Sequence, residues 1–153
     1  MINFLYRSGY RIAYRLLKIF RKIFKPNVRG VFVMIVCKGQ LLILKNSYKQ
    51  NYSVPGGMVG RREAWEDAAV RETFEEVGIK IDRKDLVLIS SIERFKHAEN
   101  HALKIFELQL SDEPEIAIDQ REVVWANFIR WSDLSEYRFA EIVTDYIASK
   151  SLT

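Results

Sequence analysis

The sequence predicts an α/β fold in which a mixed sheet lies between helical layers. Three observations lead there. Apolar, β-branched runs of strand length recur at residues 30–36, 41–45, 86–92, 102–110 and 123–130. One amphipathic helix, ending at Gly78, interrupts them between the second and third runs. A second helix, carrying Leu134, Phe139, Ile142, Val143, Tyr146 and Ile147 on one face, closes the chain.

With 153 residues, 48% hydrophobic and 29% charged, the chain is long enough for one domain with its own core. Its net charge of +4 is unevenly spread. Residues 1–25 hold seven basic side chains and no acid, which leaves 17 basic and 20 acidic residues for the remainder. The basic character therefore belongs to the N-terminal segment and does not make the domain a nucleic-acid binder. The expected division is an N-terminal basic amphipathic helix at residues 1–26 and one domain at residues 27–153.

Residues 2–25 read as a helix stopped by Pro26. Arg7, Arg11, Arg15, Lys18, Lys22 and Lys25 form a narrow basic stripe, and apolar and aromatic residues fill most of the rest. No apolar run in it approaches the roughly 18 residues of a membrane span. It also lacks the uncharged core and cleavage site of a signal peptide. Two readings stand. The helix packs on the domain or on a second copy in a homodimer, or it lies on an anionic membrane with its apolar face down. Nucleic-acid contact is not expected. Cys37 is the single cysteine and sits beside an apolar run, so no disulfide forms within the chain and a buried, inert thiol is expected. A reducing cytoplasm is the natural compartment, with membrane association left open by the N-terminal helix.

The runs at 30–36 and 41–45 predict a hairpin turning at Lys38 and Gly39. A polar stretch at 46–52 follows, with Tyr48 and Tyr52 read as loop-packing aromatics. Val54, Pro55, Gly56 and Gly57 end a short extended segment where backbone can approach a ligand. In the helix that follows, Glu72, Glu75 and Glu76 fall within an arc of about 100° on one face. Val70, Phe74 and Val77 are expected on the buried side. Three carboxylates on one face repel one another, and hard divalent ions prefer oxygen ligands, so the crowding suggests a bound cation. A solvated acidic face is the plainer alternative. Gly78 supplies a left-handed helix end. Residues 93–101 read as a polar loop with both histidines, His97 and His101, facing solvent or substrate. The last helix is expected to begin at Ser132.

Gly57, Glu63 and the run Arg71, Glu72, Thr73, Phe74, Glu75, Glu76, Val77, Gly78 and Ile79 together resemble the signature of the Nudix hydrolases. Thr73 stands where the family usually has an aliphatic residue. Ala64 stands where relatives often place a Ser or Thr cap, whose loss costs about 1 kcal/mol. The resemblance covers roughly residues 30–148 and leaves the first 26 outside. It implies a Nudix-type α/β/α sandwich whose signature forms a loop, a helix and a second loop.

The resemblance further implies hydrolysis of the diphosphate linkage of a nucleoside diphosphate derivative, by attack of water on phosphorus with Mg²⁺ (or Mn²⁺). Arg71, Glu72, Glu75 and Glu76 are the implied catalytic residues. Gly56 through its carbonyl, Glu72, Glu75, Glu76 and Glu122 are the implied metal ligands. Glu63 would tie the loop to the helix through Arg71. Glu72 is the first choice of general base and Glu122 the second, with Glu99 and Glu107 behind. A binding module of the same fold that has lost catalysis, or a membrane-recruited scaffold, are the rival readings. No Pro or Tyr occurs about 15 to 17 residues beyond Ile79, where some relatives carry one, so the substrate is left undetermined.

Overall fold

The chain is described by a computed structural model covering residues 8–10, 12–14, 16, 28–96 and 99–150. Six strands form one sheet: β1 (Val28–Cys37), β2 (Gln40–Asn46), β3 (Gly56–Met58), β4 (Val87–Lys96), β5 (Glu99–Leu110) and β6 (Val123–Arg130). The order across the sheet is β4-β5-β1-β2-β6, with β3 paired to β1. Only β1 and β5 run parallel, in register from Val28↔His101 to Cys37↔Leu110, so the sheet is mixed. The β1–β2 hairpin turns through Lys38 and Gly39, both at positive φ, as two-residue hairpin turns favour. Beyond that turn β2 leaves β1 to pair with β6, and β3 takes its place beside residues 30–32 of β1.

Strand alternation divides the core between the two faces of the sheet. Val31, Val33 and Ile35 point to one face, with Leu42, Leu44, Phe106 and Leu108, under helix α1 (Trp65–Val77). Met34, Val36, Leu41, Ile43 and Ile105 point to the other, with Val143 and Tyr146 of helix α2 (Glu141–Lys150). The result is the α/β/α sandwich expected from the sequence. Cys37 is buried and free.

Helix α1 ends as expected. Gly78 adopts φ 74° and donates its N–H to the Phe74 carbonyl. Ala64 at the N-cap supplies no side-chain bond. Its buried stripe differs from the sequence reading: Ala68, Ala69, Thr73, Glu76 and Val77 are buried, while Phe74 is 50% exposed. The small residues Ala68, Ala69 and Thr73, the last two at i and i+4, let the helix approach the sheet closely, and this places Phe74 at the rim and Glu76 inward.

Two further expectations are corrected. Residues 93–96 and 99–101 are not a loop, because β4 and β5 stay paired as far as Lys96↔Glu99. Backbone pairing carries the hairpin through a polar sequence. His97 and the side chains of Glu99 and His101 lie outside the described residues. The last helix begins at Glu141, not Ser132: residues Trp131–Glu136 form a 3₁₀ helix, and the chain then extends. There the N–H of Tyr52 donates to the Arg138 carbonyl, and Tyr137 packs edge-on against Tyr52 at 4.9 Å. These aromatic contacts hold the segment straight where the apolar pattern suggested helix.

The described N-terminal residues, 8–10, 12–14 and 16, are helical. Tyr10 and Tyr14 lie against Tyr48, while Ile12 and Leu16 are exposed. The remainder of the expected helix at 2–25 lies outside the described residues. Among the described residues no helix is long and apolar enough to cross a membrane.

Candidate active site

Helix α1 and the glycine turn before it build the site. Gly57 lies in β3 opposite Val31, and its missing side chain leaves room for a carboxylate. A Cβ there would come within 2.4 Å of Glu72 Cδ and Oε2. One turn further along α1, Glu76 is buried at 6% exposure and accepts the Gly56 N–H at 2.8 Å and the Asn46 Nδ2 amide at 3.2 Å. Burial pushes the Glu76 carboxyl up to about 7 against the pull of those two bonds and of Lys49. Burial likewise raises Glu72, opposed by Arg71 and helped by the charges of Glu75 and Glu122.

Arg71 joins the loop to the helix. Its Nε and Nη2 bind the two oxygens of Glu63 at 2.8 and 3.0 Å, in a bidentate pair. Its Nη1 sits between Glu72 Oε1 at 2.8 Å and Glu75 Oε2 at 3.1 Å, and Nη2 also reaches the Met58 carbonyl. Glu63 in turn accepts the Gly60 N–H at 2.7 Å. Hydrogen bonds from Arg71 and Gly60 hold the Glu63 carboxyl down at about 2.

Glu72, Glu75, Glu76, Asp119, Glu122 and Tyr10 line one cavity of about 270 Å³. The structure thus brings Glu122, from the β5–β6 connection, to the three glutamates of α1. Among the described residues no three His, Cys, Asp or Glu groups already close on a single ion position; Arg71 bridges Glu72 and Glu75 instead. The N–H of Gly56 donates to Glu76 at this site. Glu107 does not belong to it: it lies on the opposite face of the sheet, bound to Tyr146, Lys150 and Gln109. Strand alternation sends it away from its neighbours Phe106 and Leu108, which pack under α1.

Three contributors escaped the sequence reading. Asn46 sits where β2 slips register against β6 and turns its amide to Glu76; a polar residue ending an apolar strand was the only signal. Asp119 accepts the N–H groups of Arg121 and Glu122, a local turn that presents Glu122 to the cavity. Tyr48 was read as a packing aromatic. Its ring does pack, yet its hydroxyl also donates to Glu122 Oε1 at 2.5 Å. Burial, and then that bond, hold the phenol well above its ordinary pKa, so it stays a neutral donor. Tyr48 also lines a larger cleft of about 740 Å³ with Tyr14, Phe32, Lys49 and Tyr52.

A family model described as the NUDIX domain matches residues 26–148. No curated protein matches the chain. Among solved structures, the chain is similar to a MutT NUDIX hydrolase from Burkholderia pseudomallei, with 20% identity, a TM-score of 0.67 and coverage of 80% of this chain and 97% of that one. It is also similar to the NUDIX domain of Shewanella oneidensis NrtR complexed with ADP ribose, at 14% identity and a TM-score of 0.68, covering 86% of this chain and 92% of that one. A third is a bifunctional NMN adenylyltransferase/ADP ribose pyrophosphatase from Francisella tularensis, complexed with AMP and a Mn ion. It is 21% identical with a TM-score of 0.66, over 94% of this chain and 47% of that one. At these identities the structural likeness speaks for the fold.

Proposed function

Because the chain belongs to the Nudix family, as the match over residues 26–148 shows, we propose that it hydrolyses the diphosphate linkage of a nucleoside diphosphate derivative with the help of a divalent cation, Mg²⁺ or Mn²⁺. The observation that carries this reading is the convergence of Glu72, Glu75, Glu76, Asp119 and Glu122 on one cavity. Five carboxylates alone would repel a diphosphate. Their oxygen-only donor set fits a hard divalent ion, which keeps waters and shares its site with substrate phosphates. Glu72, Glu75, Glu76 and Glu122 would hold it, with the Gly56 carbonyl as a further ligand. Bound there, the ion would neutralise the diphosphate and lower the pKa of the attacking water.

The protein's own part is positional. Arg71 fixes Glu72 and Glu75 to the loop through Glu63 and Met58. Gly56 and Asn46 fix Glu76. Glu72 takes the proton of the attacking water: it lies beside Gly57 at the cavity wall, and its partial burial raises its carboxyl. Lys49, in the adjoining cleft, offers a cation to phosphate oxygens. Purified protein screened with Mg²⁺ against a panel of nucleoside di- and triphosphate derivatives tests the reading. Metal-dependent release of a nucleoside monophosphate, or of pyrophosphate from a triphosphate, is expected. Absence of turnover across the panel with both Mg²⁺ and Mn²⁺ would favour a binding module.

A further inference from the structure

Every carboxylate around the small cavity is held through at least one of its oxygens. Arg71 holds Glu72 and Glu75, Gly56 and Asn46 hold Glu76, and backbone N–H groups hold Asp119. For Glu122 the donor is the Tyr48 hydroxyl. That bond joins the β2–β3 connection to the β5–β6 connection, across 74 residues of sequence. The neighbouring backbone repeats the link, because the Ser47 N–H donates to the Glu122 carbonyl at 2.8 Å.

The Tyr48 ring is itself fixed by residues that precede the family match. Tyr10 stacks on it with centroids 6.2 Å apart and planes 16° apart, and Tyr14 lies at 4.9 Å and 41°. Tyr10 also lines the carboxylate cavity, and Tyr14 lines the larger cleft. The N-terminal segment therefore touches both cavities, although the matched family begins at residue 26.

We infer that Tyr48 is a positioning residue that holds Glu122 toward the metal cavity, and that Tyr10 and Tyr14 make the N-terminal segment part of the site by holding Tyr48. The inference rests on the proposed metal-dependent reading of that cavity. A carboxylate on a connection between strands has several rotamers of similar energy. A hydroxyl on one oxygen selects one of them and leaves the second oxygen free to bind an ion. Removing such an outer partner typically weakens metal affinity by about 10- to 100-fold. The aromatic stack acts one step further out, by restricting the Tyr48 ring.

The test uses the full chain and Mn²⁺ alone, with bound ion measured by electron paramagnetic resonance in the absence of nucleotide. Tyr48→Phe keeps the ring and loses the donor, so Mn²⁺ affinity should fall about tenfold while the thermal midpoint stays near that of the wild type. The double variant Tyr10→Ala/Tyr14→Ala should shift affinity in the same direction by a smaller factor. Turnover measured alongside should then require more metal for half-maximal rate. Equal Mn²⁺ affinity in wild type and both variants, or a lowered thermal midpoint with unchanged affinity, would overturn the inference and leave the proposed activity standing. Weakening in Tyr48→Phe alone would overturn the part given to the N-terminal segment. A wild-type chain that binds no Mn²⁺ would overturn the metal reading, and this inference with it.

Discussion

Replacing Gly57 by alanine should disable the site without disturbing the fold. The added Cβ would stand 2.4 Å from Glu72 Cδ and Oε2 and 2.5 Å from Oε1, whereas ordinary van der Waals contact begins at 3.4 Å. Something must therefore retreat by about 1 Å. The group it meets is the far end of a flexible side chain, so the Glu72 carboxylate moves and the backbone stays. A misplacement of about 1 Å in a catalytic constellation can lower the rate about 100-fold. Gly56→Ala gives the contrast. Its Cβ would meet the Val31 carbonyl oxygen at 2.2 Å and Phe32 Cα at 2.9 Å, which are backbone atoms. That variant should lose stability instead. The assay pairs turnover at saturating Mg²⁺ with thermal unfolding followed by circular dichroism. Gly57→Ala turnover within about threefold of wild type, in a chain that melts normally, would refute the role given to Glu72.

Two other perturbations probe the helix that carries the site. Thr73 is fully buried and its Oγ1 finds no hydrogen-bond partner among the described residues, so Thr73→Val should stabilise the protein by about 1 kcal/mol, or about 2 to 4 °C in the thermal midpoint; a lower midpoint would mean the hydroxyl is satisfied. Glu63 is held at about 2, below the usual carboxylate range of about 4.5, because its ionised form is bound in the fold. Its contribution is therefore fully present above about pH 4.5 and lost as the pH falls toward about 2. Glu63→Gln should be less stable than wild type in denaturant at about pH 7, with the gap narrowing below about pH 4.5 and closing only as the pH reaches about 2. A gap that stays constant with pH would contradict the assigned pairing with Arg71.

Where one local pattern decides a feature, the sequence showed it. The hairpin at Lys38 and Gly39, the strand at Val123–Arg130 and the helix end at Gly78 each follow from alternation or a single glycine. Where packing decides, the pattern misled. Hydrophobicity ranks Phe74 above Ala69 and Thr73 for burial, but only small side chains fit between α1 and the sheet. Glu107 shows the same limit for a strand: alternation tells which residues share a face, not which face receives α1. Phe139 fits the expected helical stripe yet lies in extended chain, bridged to Tyr52. The glutamates of α1 were visible because helical spacing links them. Asn46 and Tyr48 reach the site's glutamates through hydrogen bonds distant in sequence, and Asp119 and Glu122 meet those of α1 only across the cavity, which no local window contains.

The most direct test of a metal-dependent hydrolase at this cavity compares wild type with Glu75→Gln and Glu76→Gln on whichever nucleotide the panel identifies. Each substitution removes one anionic oxygen from a hard-cation site while keeping the side chain's size, and the Glu76 position retains an oxygen for the Gly56 N–H. Turnover that requires Mg²⁺ in the wild type and falls by at least about 100-fold in each variant, with thermal midpoints preserved, is the expected result. Turnover within about fivefold of wild type for both variants at saturating Mg²⁺ would contradict it.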